Sequence, residues 1–140
     1  MDKIITVSGK EVGFRATALT PRLYRHKMGR DIVRDMNQLQ RSFVKAVEVQ
    51  NLQPPKEDAA EWQKKEYEEA IRSAQLDVMD LEIFENVSYI MARQYDPTLP
   101  DTADKWLDSI DGTFSIYEVL PQILELWQLT QQTTSVPKKK

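Results

Sequence analysis

The most continuous apolar periodicity in the chain lies in residues 80–95. Large apolar side chains recur there at offsets of 1, 4, 7, 8 and 12 from Ile83, which is the spacing of one broad face of an α-helix. Asp80 stands where an N-cap is expected, and Asp96-Pro97 ends the run because a residue before proline is disfavoured in the α conformation. The pattern predicts a central helix of about four turns, buried along much of its circumference.

Residues 3–16 alternate between apolar and polar positions, as the strands of a β-hairpin do. Ser8-Gly9-Lys10 lies between the two alternating runs as the predicted turn. The apolar positions are Ile5, Val7, Val12, Phe14 and Ala16. Because an isolated two-stranded hairpin is marginally stable in water, we expect its apolar face to pack on the helices, or another chain to extend the sheet.

Two helices are predicted between the hairpin and residue 51. The first is short, with Thr20 as its N-cap, Pro21 at the first helical position and Gly29 after its end. The second begins after Asp31 and carries an apolar stripe of helical period as far as Asn51. After the central helix, a short helix capped by Asp101 or Thr102 and a last helix beginning at 115 complete the predicted elements.

Two stretches differ from this pattern. Charged residues and strong helix formers dominate 56–75, which predicts either an exposed helix or a partly ordered connection within a variable segment, 51–75. Residues 130–140 have no periodicity and are predicted to form a disordered tail. The predicted fold is α+β and mainly α-helical: an N-terminal β-hairpin followed by five or six helices around a central buried helix, in a single domain of residues 1–129.

Composition narrows the class of protein. The chain has 140 residues and a formal net charge of −3, which argues against general affinity for nucleic acid or anionic membranes. It has no cysteine, so disulfides and thiolate metal sites are excluded. No apolar run approaches the roughly 20 residues that span a bilayer, and the N-terminus lacks the apolar core of a signal peptide. We therefore expect a soluble cytoplasmic protein.

The residues needed for common catalytic and metal sites are scarce. His26 is the only histidine, and no acidic residue lies at a ligand spacing from it on the same helix face. Neither a GxxxxGK[ST] nor a GxGxxG motif occurs. Capping and solvation account for the acidic residues of 77–85 without a metal. We expect no enzymatic activity, no metal and no cofactor.

Charge is unevenly distributed along the chain. Residues 15–34 contain six basic residues and one acid, whereas residues 57–85 contain ten acids and three basic residues. Three interpretations are open: the two segments pair within the fold, they pair between stacked copies of the chain, or the basic segment binds phosphates.

Three stretches occur in the order ATALTPRLYRHKMGRDIVRDM, DLEIFENVSYIMARQYDP and LDSIDGTFSIYEVLPQILELW, at 16–36, 80–97 and 107–127. Together they resemble the tail assembly chaperones of long-tailed (siphovirus-type) phages and prophages of Gram-positive bacteria. The resemblance covers most of residues 3–129 but not 51–75. Its motifs are structural rather than catalytic.

The resemblance implies a non-enzymatic protein of the bacterial host cytoplasm that is not retained in the virion. It would bind the tape measure protein, keep it soluble and promote polymerisation of the tail tube; the major tail protein and a second copy of the chain are further candidate partners. Many such chaperones are also made in a longer form by ribosomal frameshifting, and the lysines at 138–140 fit either an A-rich slippery site or a plain basic tail. A structural tail or neck component and a small nucleic-acid-binding module using residues 15–34 are the alternative functions.

Candidate partner contacts lie on the helices before and after the central one. On the basic short helix they are Arg22, Tyr24, Arg25 and Met28, and Arg30 follows just after it. On the last helix they are Tyr117, Leu120, Leu124 and Trp127. Each is also interpretable as a core residue, because an amphipathic stripe has the same spacing whether it faces the core or a partner.

Overall fold

The computed structural model describes residues 1–135 and their side chains through Gln131. An antiparallel β-hairpin is followed by six helices within these residues, which confirms the predicted α+β, mainly helical fold. The elements are β1 (Asp2–Val7), β2 (Lys10–Arg15), α1 (Thr20–Met28), α2 (Ile32–Gln50), α3 (Glu61–Ser73), α4 (Val78–Tyr95), α5 (Ala103–Ser109) and α6 (Ile116–Ser135).

The hairpin closes through a two-residue turn. Ser8 and Gly9 have φ angles of 49° and 80°, the left-handed conformation that both central residues of a type I′ turn adopt. Lys10 pairs with Val7 and so belongs to β2 rather than to the predicted turn. The apolar face, with Phe14 fully buried, packs on the helices, which is the first of the two predicted ways of stabilising the hairpin.

Helix α4 is the centre of the fold, as predicted, and it contacts β2, α1, α2, α5 and α6. Its N-cap is Asp77 rather than Asp80, so the helix begins at Val78. The Asp80 N–H donates to Asp77 Oδ1 at 2.8 Å, and the Asp77 N–H donates to Asp80 Oδ2 at 3.1 Å. The predicted cap is therefore the third residue of a capping box. The helix ends before Asp96, as predicted.

A close approach between β2 and the end of α4 gives Gly13 a specific role. Tyr95 is more exposed than the rest of the predicted apolar face of α4, and its ring lies against the Gly13 backbone. A Cβ atom at position 13 would overlap that ring. The Arg15 guanidinium lies over the same ring, 5.6 Å from its centroid. An isolated glycine within a strand is a known sequence signal of such an approach.

Local capping explains most of the other helix boundaries. Thr20 is the first residue of α1 instead of its N-cap, and its side chain donates to Gln94 Oε1 at 2.6 Å, linking α1 to α4. Gly29 ends α1 at a φ of 68°, and Asp31 caps α2 by accepting from the Val33 N–H at 3.0 Å. Thr102, of the two predicted caps, is the one that caps α5.

The two stretches that lack an apolar pattern are both helical in part. Helix α3 has no buried residue, so an exposed helix is the alternative that the structure supports for 56–75. The predicted disordered tail begins too early, because α6 continues through Ser135. Thr130 is buried and its hydroxyl lies within hydrogen-bond distance of two carbonyl oxygens, those of Ala16 at 3.2 Å and Leu126 at 3.0 Å. The remainder of the predicted tail, 136–140, lies outside the described residues.

Among residues 1–135, no helix has both the length and the apolar character needed to cross a bilayer.

Candidate partner-binding surface

The candidate contacts on α6 lie mostly in the core. Leu120, Leu124 and Trp127 are buried, so their apolar side chains are covered by other elements of the same chain. Tyr117 is 44% exposed, and its ring packs against Phe43 of α2 with the centroids 5.8 Å apart. In the folded chain, only Tyr117 of these four residues presents substantial surface to a partner.

Two of the candidate contacts near α1 form a polar cluster instead. Tyr24 is fully buried and its hydroxyl donates to Asp35 Oδ2 at 2.7 Å. Arg30 donates to the same carboxylate through Nε and Nη2, at 2.8 and 2.9 Å. Such two-point contacts between a guanidinium and a carboxylate are geometrically specific. The cluster of Tyr24, Arg30 and Asp35 fastens α1 to α2, so these two candidate residues have a structural role.

The cluster also shifts the pKa values of its members. Burial alone would raise the pKa of Asp35, but the hydrogen bonds from Arg30 and Tyr24 outweigh it, and the pKa lies below its ordinary value. Burial, followed by the hydrogen bond to Asp35, raises the pKa of Tyr24. The hydrogen bond to Asp35 raises the pKa of Arg30. Asp35 is therefore an anion at neutral pH, held by two donors.

The other candidate residues of α1 are less buried than Tyr24, and the two arginines face solvent. Arg22 and Arg25 are exposed, and Met28 is half-buried against the core. None of the ion pairs formed within residues 1–135 joins the basic segment 15–34 to the acidic segment 57–85. The interpretation that the two segments pair within the fold is therefore wrong for direct ion pairs.

A groove between α1 and α4 was missed by the sequence analysis. Its volume is about 380 Å³ and its lining residues are Leu19, Leu23, Lys27, Tyr89, Ile90, Arg93, Gln94 and Pro97. Leu19 is 48% exposed although it is a large apolar residue. Leu19, Leu23 and Lys27 follow one another at intervals of four residues, which places them in a row on one face of a helix. This spacing is the sequence signal that could have indicated the groove.

Two cationic side chains are held in place at this groove. Lys27 Nζ lies 6.0 Å from the centroid of the Tyr89 ring and donates to the Asp101 carbonyl. Arg93 Nη1 donates to the Tyr89 hydroxyl at 3.3 Å, and that hydroxyl donates to the Pro100 carbonyl at 2.5 Å. The apolar groove thus has a positively charged wall whose side chains are positioned before any partner arrives. We call it the α1–α4 groove.

A second groove lies between the α2–α3 connection and α3. It has a volume of about 730 Å³, and its lining includes Leu52, Pro54, Trp62 and Tyr67. Trp62 is 65% exposed, which is unusual for so large an apolar side chain. Its charged lining residues have both signs: Lys56, Asp58 and Glu66. This second groove is apolar but has no single charge preference.

Asp80 is, after Asp35, the most deeply buried acidic residue that the structure describes. It is 3% exposed, and its Oδ1 has no hydrogen-bond partner among the described residues. Burial, together with the charge of Asp77, raises the pKa of Asp80 against the lowering effect of the hydrogen bond from the Asp77 N–H. Within residues 1–135, no group of three or more His, Cys, Asp or Glu side chains is arranged to hold a metal ion. We assign Asp80 to helix capping.

Comparison of the chain with profiles of protein families, with curated protein sequences and with solved structures finds no match.

Proposed function

We propose that this protein is a phage tail assembly chaperone acting in the cytoplasm of a bacterial host. It binds the tape measure protein reversibly, keeps it soluble and promotes polymerisation of the tail tube around it, without catalysis and without remaining in the virion. The observation that carries the proposal is the presence of two apolar grooves that open to solvent beside exposed charged side chains, the α1–α4 groove and the groove at α3. The motif resemblance at 16–36, 80–97 and 107–127 gives the class of client.

The client's chemistry matches open apolar grooves. A tape measure protein is long and helical, and an unassembled helix exposes an apolar stripe that promotes aggregation. Helix-in-groove recognition covers such a stripe with a row of apolar side chains and leaves charged residues at the rim. Leu19 and Trp62 are exposed apolar residues at the two grooves and are suited to this contact.

Co-expression tests the proposal directly. The tape measure protein from the same genome is expressed with and without this chain, and its soluble fraction and co-purification are measured. We expect the soluble fraction to rise and the two proteins to elute together. A tape measure protein that remains equally insoluble in both cultures contradicts the proposal.

Two further measurements separate the alternative functions. Purified phage particles should contain none of this chain when analysed by mass spectrometry, whereas a structural tail or neck component would be present in stoichiometric amounts. A salt-sensitive DNA complex that is lost in Arg22→Gln and Arg25→Gln variants would identify a nucleic-acid-binding module instead. Arg30 is unsuited to this role in the folded chain because its guanidinium is paired with Asp35.

A further inference from the structure

We propose that the α1–α4 groove binds an acidic amphipathic helix, with the partner's apolar side chains on the groove floor and its carboxylates beside Lys27 and Arg93. The identity of the partner as the tape measure protein rests on the proposed function; the chemistry of the partner rests on the groove itself. Two features of the groove argue for this occupant, its length and its charge.

The extent of the groove along α1 matches a short helical segment. Its lining runs from Leu19 to Lys27, which corresponds to about 12 Å of helix. A partner helix places apolar residues at i, i+3 or i+4, and i+7, which spans about 10 Å. Leu19 and Leu23 form one apolar side of the floor, and Ile90 lies opposite on α4. The groove therefore accommodates two or three anchoring side chains of one helix face.

The charge around the groove selects the partner. Lys27 and Arg93 line it, and none of its lining residues is acidic. Arg22 and His26 occupy the next row of α1, since they lie three residues after Leu19 and Leu23 respectively. The lysine and the two arginines attract carboxylates, and none of the three is paired with an acidic side chain among the described ion pairs.

Asp96 and Asp101, which follow α4, do not line the groove. The Asp101 carboxylate is paired with Lys105 Nζ at 3.2 Å, and Asp96 lines a separate cavity beside the hairpin. An acidic partner therefore gains contacts with Lys27 and Arg93, whereas a basic partner would meet like charges on the groove wall.

The binding test uses labelled synthetic peptides of 18 residues that tile the tape measure protein. Fluorescence anisotropy at low and high salt measures their affinity for the full chain. We expect the binding peptides to carry an apolar helical stripe flanked by Asp or Glu, and to bind more weakly at high salt because surface charges are screened. Binding peptides that are basic or lack the stripe overturn the proposal.

Matched substitutions place the peptide on the chain. Leu19→Asp puts a charge into the groove at an exposed position and is expected to weaken binding about tenfold or more. Val44→Asp is the control, because Val44 is exposed to nearly the same extent, 47% against 48%, but lies on α2. Equal affinity of the two variants overturns the proposal. Thermal unfolding of both variants verifies that each is folded.

Charge reversal supplies a second, independent test. Lys27→Glu should weaken the binding of an acidic peptide. A peptide whose flanking acids are replaced by lysine should bind that variant more tightly than the acidic peptide does. Absence of this rescue overturns the charge assignment.

The co-expression assay then separates the two proposals. If the wild-type chain and Leu19→Asp solubilise the tape measure protein equally, the groove assignment fails while the proposed function stands. If the wild-type chain does not solubilise it, the proposed function fails, and peptides of other acidic amphipathic helices test the groove alone.

Discussion

Helices α1 and α6 were both predicted to contact a partner, and they have opposite environments in the fold. Helix α6 places Leu120 and Trp127 in the core, where apolar contacts hold it. Helix α1 buries one large side chain, Tyr24, and is also fastened by polar contacts, from Tyr24 to Asp35 and from Thr20 to Gln94, while Leu19 and the arginines of α1 are exposed. The longer and more apolar helix is thus the structural one, and the short basic helix presents the candidate binding surface.

The environment of an amphipathic helix depends on the width of its apolar stripe. An apolar stripe that is wide enough to bury its large residues is covered by the protein's own core, because burial of each large side chain contributes about 1.5–3 kcal/mol. A short helix such as α1 buries fewer large side chains, so polar contacts add to its attachment and some of its apolar residues remain exposed. In this fold, apolar surface for a partner is therefore found beside α1.

The largest expected effect is in the α6 core. Trp127→Ala removes a large buried side chain, and we expect the free energy of unfolding to fall by about 3–5 kcal/mol. Urea denaturation measures it. Tyr117→Ala, on the same helix but 44% exposed, is the control and should cost clearly less. Similar losses in both variants would mean that α6 is not held chiefly by its buried face.

A smaller effect is expected at the polar attachment of α1. Asp35→Asn removes the charge that accepts from Arg30 and Tyr24, which should lower the free energy of unfolding at pH 7 by about 2–3 kcal/mol. Since the pKa of Asp35 in the folded chain is below 3.8, the wild-type advantage is complete above pH 3.8 and decreases as the pH falls through the folded pKa. Urea denaturation of both proteins at a series of pH values between about 3 and 7 measures the difference in their free energies of unfolding. An advantage that persists unchanged at the acidic end contradicts the assignment.

Tyr24→Phe tests the same attachment by removing only the hydroxyl group. The variant keeps the buried ring and loses only the hydroxyl that donates to Asp35 at 2.7 Å, so we expect a loss of about 1–2 kcal/mol. Tyr117→Phe is the matched control and should leave the free energy of unfolding nearly unchanged. Thermal denaturation at neutral pH is sufficient to compare the two. If the two variants unfold alike, the Tyr24 hydroxyl does not fasten α1.

The smallest effect on stability is expected for the exposed arginines of α1. Arg22→Gln and Arg25→Gln should each change the free energy of unfolding by less than about 0.5 kcal/mol, because neither side chain is buried. Under the proposed function, the double variant should nevertheless bind the tape measure protein more weakly at low salt. Co-purification at two salt concentrations measures this, and wild-type retention at both would exclude these arginines from the contact.

Local signals in the sequence predicted the order of the elements and many of their ends. Gly29, Asp31 and Asp96 act through their own backbone or that of close neighbours, so their effect is independent of the rest of the fold. The apolar period of 80–95 likewise identified the central helix. The error at Asp80 is a shift of three residues, because Asp77 and Asp80 are both acceptable caps and the sequence does not rank them. The error at Thr20 is a shift of one residue, to a leucine N-cap without a side-chain hydrogen bond, which no capping preference predicts.

Which apolar helix faces are buried by other elements depends on the tertiary structure and could not be predicted from the sequence. The stripe of α6 and the row of Leu19 and Leu23 on α1 are both apolar at helical spacing, yet only the first is enclosed by the hairpin and α4. Thr130 lies past the predicted boundary of α6, and its hydroxyl contacts the carbonyl oxygen of Ala16, which is far away in the sequence. Apolar periodicity and capping residues predict where helices and strands form, since both act over short distances along the chain. Burial depends on which distant segments pack together, and so the groove became visible only in the folded chain.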